Sequence, residues 1–513
     1  MRYTPLQMKQ LRLFPVEPRL SKSKFVAGLQ CHKRLYLEIH SPELATEPDE
    51  QTQAVFDNGS EVGELARRLF PGGVLVAFAH GHHEPALQRT AELLADPTVP
   101  AIFEAAFKFD NVLVRVDVLE RVTDGAPARW RLIEVKASTR VKPVHLEDLA
   151  IQAYVLAGAG VFLESLRLMY INRQYLYEGG QIDLGQLFAQ QDLTAQVTAR
   201  SATVPPRLAA MKTMLMADAP PDIQPGSQCH EPFGCPFWEH CTAQKPPRWV
   251  FYLPGGKRTF EKLTEQGIEL IDEIPEEFKL SGAQQRMKDN VEWLDSQLKT
   301  ALQAVRYPVH HLDFETFMPG IPLYPCTRPY HTLPFQWSNH IATEDGALRH
   351  DYYLSVDQRD QREELLLRLL TSLGREGSIC VYSGYEWKIL MELAETFPRL
   401  RREISAVADR LWDLLLVIRR HYYHPDFEGS FSIKAVLPAL VPALGYADLE
   451  IQDGAMASLF YERMVFGPTD SAEKARLCTA LLTYCKRDTL GMVEIRRTLL
   501  QKALAAELTV GAG

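Results

Sequence analysis

The chain has 513 residues, 46% of them hydrophobic and 24% charged, an ordinary globular balance that allows two or three domains. Its net charge of −9 argues against indiscriminate coating of nucleic acid, although phosphate contacts need only local basic patches. The opening ten residues hold no apolar core of signal-peptide length, and the longest apolar run, 153–163, is too short to cross a bilayer. The expectation is a cytoplasmic protein with no membrane partner, whose eight cysteines do not form a disulfide framework.

After a proline-containing lead, Ser21-Lys22-Ser23-Lys24-Phe25 opens a helix with a serine cap in reach. That helix carries Cys31 and ends near His40. Residues 41–54 are polar and acidic and read as a loop. Further helices are expected at 59–70, closed by Pro71-Gly72-Gly73, and at 86–94. The period then changes. Val112, Val114, Val116 and Val118 alternate with Leu113, Arg115, Asp117 and Leu119, the pattern of a half-buried strand. A turn at 123–127 leads to a second strand over 130–137. A hairpin symmetric about Gly125–Ala126 sets Asp117 across from Glu134, with Lys136 on the same face as Glu134.

Opposed carboxylates repel unless a cation sits between them. A divalent metal on Asp117 and Glu134 supplies that charge, and Lys136 can orient or help deprotonate an attacking water. A lone Glu-x-Lys is common on solvent-facing strands. Here the opposed Asp117, the apolar Leu132-Ile133 leading in, and a following helix with Gln152 and Tyr154 favour a metal site.

Cys229, Cys235 and Cys241 fall within thirteen residues among prolines, Gly234 and aromatic rings, a texture that suits a loop wrapped around a group better than a buried core. Cys380, alone in an apolar run, shows the contrasting pattern of a core thiol. Three thiolates are one short of the usual four for zinc or an iron–sulfur cluster, and Cys31 is the candidate for the fourth. Closing a loop of that length costs about 4–5 kcal/mol of chain entropy, which ligation would have to offset. Paired Cys-x-x-Cys knuckles, usual for zinc, are absent, and a 4Fe–4S cluster is the preferred reading with zinc as the alternative.

Asp117, Glu134-Val135-Lys136 and Gln152-Ala153-Tyr154, framed by Cys31 and the three late cysteines, resemble the RecB-like PD-(D/E)XK nucleases. The resemblance is to the branch whose early and late cysteines hold a 4Fe–4S cluster. It spans about residues 20–245 and implies a metal-dependent nuclease on DNA with the cluster as a clamp. Three features depart from that pattern. No histidine ligand occurs in Gly59-Ser60-Glu61-Val62-Gly63-Glu64, which leaves Glu104 as a candidate to complete the metal shell. The late cysteines are spaced evenly, and Gln152 to Tyr154 is short.

Pro246-Pro247 and Pro254-Gly255-Gly256 mark a boundary. Residues 257–306 read as mostly helical, with amphipathic spacing through Met287, Val291, Leu294 and Leu298, and with no chemistry of their own. Beyond them, Val309-His310-His311-Leu312-Asp313-Phe314-Glu315-Thr316 is a strand with Asp313 and Glu315 on one face, costly without a cation. His310 and His311 read as structural neighbours of these acids. Glu386 sits where a short strand (379–382) runs into a helix, and Tyr484 and Asp488 share a helical face.

The ordered set Asp313-x-Glu315, Glu386, Tyr484-x-x-x-Asp488 resembles the DnaQ-like exonucleases of the RNase H fold, DEDDy subclass, with support from Trp412-Asp413-Leu414-Leu415 and 430–437. Glu386 stands where that family usually has Asp, and Asp413 is a rival for the position. The resemblance implies hydrolysis with two Mg²⁺ or Mn²⁺ ions held by Asp313, Glu315, Glu386 and Asp488, Tyr484 orienting the water.

The expected architecture is α/β: a RecB-like PD-(D/E)XK domain over 1–250, a mostly helical linker over 251–306, and a DnaQ-like domain over 307–513. The pair resembles a bacterial family that fuses these two nucleases. It implies a two-site exonuclease on DNA, in repair, processing or defence, with digestion from 3′ ends by the second half and from 5′ ends by the first. The alternative is that one half, the first by preference, only grips nucleic acid. Basic groups at Lys22, Lys24, Lys33 and Arg34, at Arg67-Arg68, at 399–402 and at Arg419-Arg420 are each more often solvated helix faces than phosphate contacts.

Overall fold

In the computed structural model, which describes residues 19–78, 82–123 and 128–510, the chain is mixed α/β and divides into two units. One runs up to Gln244 and takes in Gly320–Pro329; the other comprises Lys245–Pro319 and the chain from Tyr330 onward. The lead before Arg19 and residues 124–127 of the turn expected at 123–127 lie outside the described residues.

The first unit is built on a sheet of β1 (Leu20–Ser21), β2 (Val74–Leu75), β3 (Ala101–Phe109), β4 (Val112–Thr123), β5 (Arg129–Lys136), β6 (Phe162–Ile171) and β7 (Phe188–Asp192). The order is β2-β3-β4-β5-β6-β7, with β1 pairing β4. β3, β4 and β5 run antiparallel, whereas β5 and β6 are parallel, which a long crossover makes necessary. Its helices include α1 (Lys22–Gln30), α2 (His32–His40), α3 (Glu50–Arg67), α4 (His83–Ala95) and the crossover α5 (Pro143–Gly158). The alternation read in β4 buries Val112, Val114, Val116 and Val118 completely. Helix α5 is apolar nearly all round, and Leu149, Ile151, Val155 and Leu156 are sealed within the core.

The helix expected through Cys31 is broken at that residue, which is extended at φ −162°. Its N–H closes α1 on the carbonyl of Ala27 while its own carbonyl receives Leu35 in α2. The loop expected over 41–54 becomes helical from Glu50, because Asp49 accepts from the Thr52 N–H at 2.8 Å and caps α3.

The second unit holds a five-stranded sheet and a two-stranded ribbon. The ribbon pairs β8 (Trp293–Leu294) with β14 (Tyr422–Tyr423). The sheet contains β9 (Val309–Phe317), β10 (Leu333–Ala342), β11 (Leu348–Leu354), β12 (Ser378–Val381) and β13 (Leu411–Asp413), in the order β11-β10-β9-β12-β13. β9, β10 and β11 are antiparallel, while β12 runs parallel to both β9 and β13. Around them lie α6 (Gly282–Asp289), α7 (Tyr385–Thr396), α8 (Leu414–His421), α9 (Ile433–Leu440), α10 (Gly454–Phe466) and the long α11 (Ser471–Val510).

Residues 251–306 cluster with this second unit and do not stand apart as a linker. Trp249 stacks on Phe251 and meets the edge of Phe260, and Arg248 grips Asp272 through two nitrogens. The amphipathic run through Met287, Val291, Leu294 and Leu298 is not one helix. Asn290 ends α6 in the left-handed region (φ 52°), Val291 is 59% exposed, and Trp293–Leu294 turn into the ribbon. Among the described residues, no helix is long and apolar enough to cross a membrane.

Candidate functional sites

In the second unit the acids meet around a cleft of about 610 Å³. Asp313 and Glu315 lie two apart on β9, so they share one face of the central strand of the sheet. Glu386 comes from the first turn of α7, and Tyr484 and Asp488 come from successive turns of α11. All five line the cleft, and Glu315, Glu386, Tyr484 and Asp488 are buried.

Burial and mutual repulsion decide the protonation of these groups. Asp313 is pushed well above the usual carboxylate range by burial, then by Glu315, Asp488 and Glu386. Glu315 is raised by burial and then by Asp488, while Lys434 works the other way. Asp488 is raised by burial, and Glu386 is pushed up to about 8 by burial with Asp413 adding to it. Glu386 Oε2 is buried without a hydrogen-bond partner. Four such carboxyls cannot all ionise unless a cation joins them.

The hydrogen bonds around the acids are specific. Lys434 Nζ donates to Tyr484 Oη at 2.6 Å, and the Tyr484 and Tyr446 hydroxyls both bond the carboxylate of Asp488. The Cys485 thiol reaches Asp313 Oδ2 at 3.6 Å. Asp313, Glu315 and Cys485 bring three donor atoms within 4.8 Å of one another. Asp413, the rival to Glu386, caps α8 by accepting from Leu416 N–H at 3.1 Å and does not line the cleft.

In the first unit the pairing Val118↔Ile133 leaves Asp117 and Glu134 next in line across β4 and β5. Glu134 is fully buried. Its Oε1 accepts from Lys22 Nζ at 2.6 Å and from Lys136 Nζ at 2.7 Å, and its Oε2 accepts from Gln152 Nε2 at 2.7 Å. Burial opposes the ionisation of Glu134, but Lys136 and Lys22 outweigh it and hold the carboxyl below its ordinary range. Asp117, which accepts from the Val135 N–H at 2.7 Å, is raised to about 7 by burial and by Glu134. Lys136 also pairs with Asp148 at 2.8 Å and stays charged despite its burial.

Asp117 faces a second cleft of about 610 Å³ together with Glu104 and Glu64. Glu104 sits in the left-handed region (φ 55°) where β3 passes Asp117, between the pairs Phe103↔Val118 and Ala105↔Val116. Tyr154 does not join this group. Two residues along a helix is a turn of about 200°, and the Tyr154 hydroxyl donates instead to Asp110 at 3.0 Å, which Lys212 holds at 2.6 Å.

The thiols of Cys31, Cys229, Cys235 and Cys241 are free and converge. Cys229 and Cys241 each feel Cys31, and Cys235 feels both Cys229 and Cys241. Burial pushes the Cys235 thiol up to about 11, while Arg34 pulls the other way. Lys33 does the same for Cys229 and Cys241. Gln30 fastens α1 to the cysteine loop by donating to the carbonyls of Gln228 and Phe233 at 2.8 and 2.7 Å.

Sequence reading missed Lys22 as a partner of Glu134, together with Asp148, Lys434, Tyr446, Cys485 and Glu64. Lys22, Glu64, Lys434 and Cys485 all lie inside stretches that carried motifs, but nothing in their spacing points to the acids they meet. A family model described as a domain of unknown function (DUF2779) matches residues 310–432, a span that holds Asp313, Glu315 and Glu386 and ends before Tyr484 and Asp488. No curated protein matches the chain.

Proposed function

We propose that the chain is a metal-dependent nuclease that hydrolyses phosphodiester bonds of DNA from strand ends, in repair, processing or defence. One observation carries this reading: Asp313, Glu315, Glu386 and Asp488, drawn from β9, α7 and α11, surround one cleft with Tyr484 among them. The sheet order β11-β10-β9-β12-β13, three antiparallel strands followed by two parallel ones, supports a DnaQ-like domain of the RNase H fold. In the first unit, β3, β4 and β5 followed by α5 and a parallel β6 support a PD-(D/E)XK core.

The donor set fits Mg²⁺ or Mn²⁺, since oxygen ligands suit hard cations and one carboxylate oxygen, Glu386 Oε2, is buried without a partner. Asp313, Glu315, Glu386 and Asp488 would hold the ions, which when bound supply an activated water and stabilise the leaving oxygen. The chain's own groups do the positioning. Lys434 and Asp488 fix the Tyr484 hydroxyl at the cleft, where it can orient a water, and the buried walls keep the acids desolvated.

Cys31, Cys229, Cys235 and Cys241 fit a 4Fe–4S cluster that would clamp the two ends of the first unit. Zinc is the alternative that the same four thiolates would also hold.

A second reading, in which the first unit binds nucleic acid without cutting it, is favoured by Glu134. Both of its oxygens are already engaged, by Lys22, Lys136 and Gln152. The test is digestion of end-labelled strands in Mn²⁺ by Glu134→Ala and Asp313→Ala separately. Two active sites require each variant to lose part of the digestion. A Glu134→Ala variant that cuts every substrate like the parent makes the first unit a binder, and an unaffected Asp313→Ala would refute the main reading.

A further inference from the structure

Beside the acid cleft of the second unit lies a second cavity of about 410 Å³ that the acids do not reach. Arg286, Arg419 and Phe431 line it, together with Pro254 and Gly429. The half-buried Arg286 guanidinium stacks 3.5 Å over the Trp293 ring and donates to the carbonyl of Arg419 at 3.0 Å. The exposed Arg419 guanidinium lies 5.9 Å from the centre of the Phe431 ring. Among the described residues, neither arginine makes an ion pair. Phe431 is braced from behind by Tyr423 and Phe427, so it offers a fixed aromatic edge and not a swinging side chain.

The wall between the two cavities is one short run of chain. Phe431 lines the arginine cavity, while Ile433 and Lys434 line the acid cleft. Tyr382, also in the acid cleft, donates to the Phe431 carbonyl at 3.0 Å and ties the wall down. Three residues of chain span at most about 11 Å, which puts the two cavities within a few nucleotides' length of each other. Asp295 acts on Arg286 and Arg419 acts on Asp413 from beyond ion-pair distance, and two guanidiniums beside an aromatic ring are the features that grip single strands, cations on phosphates and a ring on a base.

We propose that the Arg286–Arg419–Phe431 cavity is a single-strand binding site that holds the substrate behind its reacting end. This inference rests on the nuclease reading of the acid cleft and adds to it a substrate class: strands longer than the few nucleotides the cleft can hold.

The test uses the full chain carrying Arg419→Gln, the charge-reversed Arg419→Glu, or Phe431→Ala. Binding of fluorescein-labelled 12-nucleotide single-stranded DNA and RNA is measured in Mn²⁺ on an Asp313→Asn background, across a salt series. Hydrolysis of the p-nitrophenyl ester of thymidine 5′-phosphate, too small to reach the second cavity, is measured with Asp313 intact. The expected result is at least a fivefold loss of 12-mer affinity in each variant. For Arg419→Gln the salt slope of log K should also fall by about 0.7, the share of one single-strand phosphate. For the Arg419 variants, ester hydrolysis and thermal midpoint should stay at parental values, because Arg419 sits exposed at the last turn of α8. Affinity within twofold of the parent and an unchanged slope, with the ester still hydrolysed, would overturn the strand site alone. A parental protein that hydrolyses neither ester nor strand would remove the nuclease reading and this inference with it.

Discussion

Glu386 offers the sharpest quantitative test of the acid cleft. Burial holds its carboxyl at about 8 in the folded protein against 4.5 in the unfolded chain. Between those values the folded state binds a proton that the unfolded state has released, so folding stability falls as pH rises through that window. From that pair of values the loss is about 1 kcal/mol at pH 5.5 and about 4 kcal/mol at pH 7.5. Glu386→Gln keeps the shape and removes the titration. In metal-free buffer with EDTA, the stability of the variant relative to the parent should therefore improve by about 2–3 kcal/mol between pH 5.5 and 7.5. Urea unfolding at the two pH values measures this difference, and any constant effect of the substitution cancels. Saturating Mn²⁺ should reverse the order at pH 7.5, since the parent gains a ligand that the variant lacks. A gap that does not change with pH would show that Glu386 ionises freely in the fold and that the cleft is not the desolvated acid cluster described above.

Other outcomes follow from the same contacts. Asp488→Asn should lower strand digestion by more than about 100-fold, beyond the usual cost of losing an outer partner of a metal, while leaving 12-mer binding within a few fold; fluorescence anisotropy and end-label release measure the two. Tyr484→Phe should cost about 10- to 100-fold in turnover with little change in KM, because the hydroxyl held by Lys434 is lost and the carboxylates remain; steady-state kinetics in Mn²⁺ separates these terms. Lys22→Met should tighten Mn²⁺ binding to the first unit, read by titration calorimetry on an Asp313→Asn background, since one of the two cations on Glu134 Oε1 is removed. Anaerobically purified protein should be brown, absorbing at about 400 nm with four irons per chain, and Cys235→Ser should lose colour and thermal stability together. A colourless protein holding one zinc per chain would contradict the cluster.

Much of this was legible in the residues, and the reasons differ by element. The alternation of Val112 through Val118 fixed β4, and a spacing of two placed Asp313 and Glu315 on one face of β9. The spacing of four between Tyr484 and Asp488 worked for the same kind of reason on α11. Periodicity fails where a contact comes from a distant part of the chain. Lys22 lies 112 residues from Glu134, and Lys434 lies 50 from Tyr484, so no local pattern announces either. Tyr154 was misread because a motif spacing was carried over without the helical angle it implies, and that angle sends its hydroxyl to Asp110. The run from Met287 to Leu298 looked helical because its apolar residues fall three and four apart, yet Asn290 and the pairing with Tyr422–Tyr423 break it. Cys31 was grouped with the late cysteines but placed inside a helix, and its position between two helices is a tertiary outcome.

Crystals of the full chain soaked in Mn²⁺, with anomalous scattering recorded at the manganese edge, show whether the carboxylates of β9, α7 and α11 share divalent cations. Two peaks about 3.5–4 Å apart are expected between Asp313, Glu315, Glu386 and Asp488. Ordered side chains for all four residues with no manganese among them would contradict that sharing.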